Sequence, residues 1–135
     1  MPKQSGLGWT TCSVDDAAGS AKVIVNDVTN LQISTPRGVQ DVTGLDKFAY
    51  ERILLLADSS ITLNGVFNPT TDASHDVFKT VTSTSVARTT TLTIASKTLA
   101  SELLYTDYNL TRAQTGEFTW SAPGVLSDGT IPTWA

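Results

Sequence analysis

Cysteine and histidine are almost missing, with Cys12 and His75 as single copies in 135 residues. A lone cysteine cannot close an internal disulfide, and the pair cannot supply the ligands of a multi-Cys/His zinc site. Charged residues are scarce at 16%, and the balance is acidic, with a formal net charge of −4. The chain therefore lacks the basic surplus on which tight, general DNA binding draws, although an acidic protein can stand beside DNA without gripping it. Long apolar runs are also missing. The longest aliphatic stretch, Ile53 to Ala57, is far too short to span a bilayer, so no membrane partner is expected. Met1 to Trp9 lacks the basic and apolar blocks of a secretory signal, which predicts synthesis as a soluble cytoplasmic product. There is neither a calcium loop nor a phosphate-cradling glycine loop, and no cofactor is expected. Asn109-Leu110-Thr111 matches a glycosylation acceptor, but without a secretion signal the triplet carries no weight.

What is present suits a single β domain spanning residues 1–135. The hydrophobic share is 40%, enough for one core. Threonine occurs in runs such as Thr89-Thr90-Thr91 and at alternate positions elsewhere, as on the solvated face of a sheet. Phe118, Trp120 and Ala122 alternate with Glu117, Thr119 and Ser121, predicting a half-buried strand. Upstream, Leu104, Tyr108 and Leu110 share a phase, and Gln114-Thr115-Gly116 is turn-prone, so the two segments should form an antiparallel hairpin. Val86, Leu92 and Ile94 oppose Thr89, Thr91 and Thr93 in a further strand. In the first half, Ala49 to Ala57 breaks at Asp58-Ser59-Ser60 before Ile61, Leu63 and Phe67 alternate with Thr62 and Asn64, which reads as a second hairpin. Val23, Val25, Leu31 and Ile33 share odd positions, with Asp27 marking a bulge or break. Trp9 to Val14 supplies an edge strand.

One segment has helical spacing. Val77, Phe78 and Val81 make an apolar face after Asn68-Pro69, with Asp72 or Ser74 as the cap of about ten helical residues. Pro36-Arg37-Gly38 and the stretch from Val39 to Lys47, with Gly44, Asp41 and Asp46, read as an extended loop or protruding hairpin. The sum is about seven strands and one short helix, a β-sandwich or partly open barrel.

Catalytic residues are not evident. His75 stands beside Asp76 at a helix start, where a solvated surface histidine is the plainer reading, and no Gly-flanked serine accompanies it. Cys12 has no neighbouring histidine to activate it and reads as a buried or half-buried side chain. Carboxylates are scattered, and spacing alone selects no pair for glycoside hydrolysis. Exposed tryptophans could stack on sugars, but Trp120 is in phase with Phe118 and belongs to the core. Trp9 and Trp134 lie near the termini, where a ring has little core to enter and is often covered by another subunit.

Several strings resemble the major tail (tail tube) proteins of long-tailed phages, especially those infecting actinobacteria. They run from Ser34 to Lys47, Glu51 to Asp58, Leu63 to Asn68, Ser74 to Lys79 and Gly116 to Gly124. The resemblance implies a β-sandwich flanked by a helix, stacked as homo-hexameric rings into a tube of the virion tail. DNA would pass through without specific binding, and other tail proteins would be partners. No enzyme activity is implied. The candidate assembly contacts are then Trp9, Arg37, Val39, Asp41, Asp46, Lys47 and Trp134, in a loop around residues 36–48 and in terminal arms. The candidate lumen residues are Glu51, Asp58, Thr62 and Asn64, acidic or uncharged so that DNA can slide past. A monomeric carbohydrate- or receptor-binding sandwich is the alternative from another class, and a related tail-completion protein is the alternative within the virion.

Overall fold

The computed structural model describes residues 3–135, so the first two residues of the N-terminal arm lie outside it. Ten strands and one α-helix follow in chain order: β1 (Thr11–Asp15), β2 (Ala21–Val23), β3 (Val28–Ser34), β4 (Arg37–Asp41), β5 (Arg52–Ala57), β6 (Ser60–Val66), α1 (Ser74–Phe78), β7 (Arg88–Ile94), β8 (Lys97–Tyr105), β9 (Asn109–Arg112) and β10 (Phe118–Leu126). A 3-10 turn at Val25–Asp27 joins β2 to β3. Eight strands form one antiparallel sheet in the order β2-β1-β7-β8-β10-β6-β3, with β9 beside the first half of β10. The remaining two, β4 and β5, pair only with each other. The protein is mainly β, as the alternating pattern predicts.

The sheet encloses its core because each long strand is apolar on one side only. Ile61 and Leu63 from β6, Trp120 and Ala122 from β10, Leu99 and Leu103 from β8 and Leu92 from β7 are buried together with Cys12 and Val14 from β1. Phe78 of α1 plugs this interior, 5.2 Å from both Tyr105 and Trp120 between ring centroids. A sheet whose two halves share a common core is consistent with the predicted sandwich, left open between its edge strands β2 and β3.

Five sequence expectations change in detail. Arg52–Ala57 does not form a hairpin with β6. It pairs with β4, because Ile53, Leu54, Leu55 and Leu56 present apolar side chains on both faces and give β5 no inner side to lay on the core. β6 lies instead between β3 and β10. The strand at Thr11 is not at an edge, since β2 covers it on one side and β7 on the other. β8, nine residues long, was hidden by its turn: Ala95 and Ser96 both have positive φ, at 51° and 64°, between the paired residues Ile94 and Lys97. That two-residue hairpin geometry is usually marked by Asn-Gly, not Ala-Ser. The α-helix is five residues rather than ten, and neither Asp72 nor Ser74 caps it with a side chain. Its cap comes from far away in sequence: the Asp27 carboxylate accepts from the Ser74 backbone N–H at 3.0 Å and from Asn68 Nδ2 at 2.8 Å. Asp27 is thus the residue that ties the break before β3 to the helix.

Candidate assembly surfaces

β4 and β5 form an arm that leaves the body between Pro36 and Asp58, whose backbone groups bond at 2.9 Å and close its base. The arm has internal order without help from the core. Arg37 Nε donates to the Leu55 carbonyl at 2.9 Å across a register shift. At the tip, the Thr43 hydroxyl and backbone N–H both donate to the Asp41 carboxylate, and the Glu51 N–H donates to Thr43 Oγ1 at 2.8 Å. Those two donors from Thr43, the hydroxyl first, hold the Asp41 carboxyl below its ordinary range. Lys47 Nζ lies 3.9 Å from Asp46 and 3.7 Å from Glu51, and the Arg52 guanidinium stacks over the Tyr50 ring at 4.7 Å. Charges at the tip are therefore partnered within the tip.

Its apolar residues are not. Leu45 and Phe48 are fully exposed, at 108% and 107%, and Leu56 is 92% exposed. Paired positions put Val39 and Leu54 on one side of the ribbon, while Ile53 and Leu55 occupy the other. A ribbon that is ordered yet apolar on both faces has the composition of an interface, since scattered single exposures are normal but a contiguous patch is not.

A second surface is the outward side of β3, β6 and β10. Asn30, Asn64, Ser121 and Asn109 stand opposite one another across four strands. The neighbouring outward residues are Gln32, Thr62 and Thr119 with the exposed Val66 and Val125, and no outward position of β3, β6 or β10 is charged. This is a neutral, hydrogen-bonding wall.

The candidate residues fall into separate places. Arg37, Val39, Asp41, Asp46 and Lys47 all belong to the arm, and Glu51 shares its tip. Thr62 and Asn64 lie on the neutral wall, whereas Asp58 sits at the junction and accepts from the Ser59 N–H at 2.8 Å. Trp9 finds more core than expected: it is half-buried against the hydrophobic cluster, because the segment before β1 folds over the open seam near β3. Trp134 remains 50% exposed on a C-terminal segment bonded to Thr98 and Leu99 of β8. The apolar arm beyond Lys47 was missed as an interaction element; the signal was the unalternating run from Ile53 to Leu56.

No nucleophile–base pair emerges around the titratable candidates. His75 is not freely solvated. Its Nδ1 lies 3.1 Å from the Tyr108 hydroxyl and its ring 4.8 Å from Phe67. Burial pushes the Tyr108 hydroxyl up to about 12 and the Cys12 thiol likewise to about 12, leaving both protonated at neutral pH. Among the described residues, no group of three or more His, Cys, Asp and Glu side chains converges to hold a metal, and no helix is long and apolar enough to cross a membrane.

No family model matches the chain, and no curated protein matches it in sequence. Solved structures do. A chain from the tail of an empty gene transfer agent particle with C6 symmetry aligns at a TM-score of 0.77 and 17% identity, covering 98% of this chain and 99% of that one. This chain has the fold of that tail protein. A chain from the virion of a native gene transfer agent particle aligns at 0.76 and 16% identity, with the same coverage of 98% and 99%. The alignments take in nearly the whole of both chains, so the likeness extends beyond the common sandwich to the complete domain.

Proposed function

We propose that the chain is a structural subunit of a viral tail tube, which polymerises as stacked hexameric rings in the virion and encloses a channel through which DNA passes. The arm carries this reading: an ordered ribbon with Leu45, Phe48 and Leu56 in solvent has no use for those side chains as a monomer, and each large apolar group buried on assembly contributes about 1.5–3 kcal/mol. The fold shared with a chain from a C6-symmetric tail supports it independently. In this reading other tail proteins meet the tube at its ends, and the neutral wall containing Thr62 and Asn64 faces the channel. Such a wall has no cations to hold phosphates as DNA moves past. The subunit has no catalytic task.

The test is negative-stain microscopy and scattering of the purified protein beside a variant in which residues 38–56 are replaced by a short Gly/Ser turn. Arg37 and Ala57 are paired neighbours, so the replacement bridges a small gap and leaves the eight-stranded body untouched. The parent should form rings or tubes; the variant should keep its thermal midpoint and stay monomeric. A parent that is monomeric at every concentration and absent from purified virions would instead be a carbohydrate- or receptor-binding module.

A further inference from the structure

β3 ends the eight-stranded sheet, and among the described residues its outer edge has no partner strand. Such an edge is a template for pairing with another chain, so an unassembled subunit has to protect it. Two features do so here. A register shift between Val28 and Asn30 disturbs the first half of the strand. The segment before β1 then runs beside that same half: residues 6–9 line one side of a cavity of about 430 Å³, residues 28–31 line the other, and Cys12 and Val25 complete it. Four consecutive residues of β3 take part, from both of its faces, so the segment follows the edge of the strand instead of lying on one face.

The cover is loose. Among the described residues no backbone hydrogen bond ties residues 3–9 to β3 or to any other element; the first comes after them, from the Thr10 N–H to the Thr93 carbonyl at 3.0 Å. Residues 3–8 are exposed, Leu7 at 85%, and only Trp9 is set against the core cluster. Gly6 and Gly8 flank Leu7, and Gly8 has a φ of 72°, which glycine adopts without strain. At the other terminus the edge of β8 is covered differently: Thr98 and Ala135 exchange two backbone hydrogen bonds, at 2.8 and 2.9 Å. One edge is paired, whereas the other is only shielded.

We infer that residues 3–9 are an autoinhibitory strap, latched by Trp9 alone, which shields the β3 edge of the free subunit and lifts as subunits assemble. The inference rests on the tube reading and adds its regulation. A cover that does not pair with the edge leaves no backbone bonds to break, so its release forfeits little beyond the Trp9 contact. The unfilled space between strap and strand has the same meaning, because side chains that do not interlock give the closed form little packing to lose. While the strap is down the subunit is not competent to assemble, and the concentration needed for assembly rises as the competent fraction falls.

The test compares the full-length parent with an unlatched and a fixed strap. Cys12, 1% exposed, lines the cavity and reports on opening. In Trp9→Ala a chromogenic disulfide reagent should label that thiol about tenfold faster, and the threshold concentration for assembly, read by light scattering, should fall by a similar factor. An unchanged labelling rate would overturn the inference, as would a raised threshold, which would make Trp9 an assembly contact instead of a latch. To fix the strap, Leu7→Cys and Thr29→Cys, which line the same cavity, are introduced in a Cys12→Ala background and joined by a short bismaleimide. The joined protein should stay monomeric at concentrations where its unjoined form builds tubes, and this arm decides alone if Trp9→Ala does not fold. Joined protein that builds normal tubes overturns the inference and leaves the tube reading standing. A parent that never assembles removes both.

Discussion

Gly65→Ala is the substitution for which the structure gives the sharpest expectation. Gly65 sits in β6 directly opposite Trp120 on one side and Val28 on the other. A Cβ there would stand 2.0 Å from the Asp27 carbonyl oxygen and 2.7 Å from the nearest Trp120 ring carbon, closer than real Cβ contacts come. Neither neighbour is free to move. Trp120 is 2% exposed, its Nε1 donates to the Val66 carbonyl at 3.0 Å, and Phe78 closes the other side of its ring. Asp27 is fixed through its carboxylate to Asn68 and Ser74. Overpacking costs about 1–3 kcal/mol in cores that can partly relax, and this site belongs at about 3 because one of the clashes is with backbone. For a domain of this size that lowers the thermal midpoint by roughly 10 °C. Thermal unfolding followed by far-ultraviolet circular dichroism measures it, with tryptophan fluorescence reporting displacement of Trp120. Gly6→Ala is the control, since nothing lies within 4 Å of a Cβ at Gly6, and it should stay within about 0.5 kcal/mol of the parent. A Gly65→Ala protein as stable as the control, with unchanged emission, would refute the close approach of β6, Asp27 and Trp120.

Asp27→Ala should destabilise by about 2 kcal/mol in denaturant titration, because it strands the buried Ser74 N–H, while Asp27→Asn, which keeps one acceptor, should lose less. The double substitution Ala95→Asn, Ser96→Gly should raise stability by about 1 kcal/mol, since it relieves two side chains held at positive φ in the β7–β8 turn; no gain in thermal midpoint would mean that the turn is not strained. The Lys79 ammonium, 2.6 Å from Asp76, is the main reason that the Asp76 carboxyl titrates below its ordinary value of 3.8. A depressed carboxylate stabilises the fold above its unfolded pKa and loses that contribution as pH falls through the folded value. NMR titration should find the Asp76 midpoint below 3.8, and Lys79→Ala should move it upward.

Legibility in the sequence followed the physics of each element. Ile61 and Leu63 alternate with Thr62 and Asn64 because β6 has one buried face, and that strand can be read directly. β10 and its partner β9 are equally visible from Trp120, Ala122 and the Ala113–Glu117 turn. β5 was visible as a strand but not in its pairing: a ribbon without a buried face carries no phase to say which neighbour it takes. The β8 hairpin was obscured because Ala95 and Ser96 occupy a conformation their residue types do not announce. The helix cap was unreadable for a different reason, as Asp27 is forty-seven positions from Ser74 and only the folded sheet brings them together. At the candidate surfaces, the arm's polar residues from Arg37 to Lys47 were read in sequence, whereas the neutral wall is a product of register. Asn30, Asn64, Ser121 and Asn109 form a row only once four strands are aligned.

The position of β10 in the chain has a consequence for how the molecule is made. Among the strands of this sheet β10 comes last in chain order, yet it alone joins the β2-β1-β7-β8 half to the β6-β3 half. Until Phe118–Leu126 has left the ribosome, the two halves have no strand pairing through which to close, and Trp120 is not there to fill the space above Gly65. Most of the decisive pairings are distant in sequence, which slows folding relative to a chain built from local contacts. The arm between β4 and β5 is complete much earlier, since its hairpin needs only residues 37–57. A nascent chain therefore displays its apolar ribbon before it possesses a finished body. Ribosomes translating one message in series hold such ribbons close together while none has a closed sandwich, so the order of strands sets a race between completing β10 and premature association of arms.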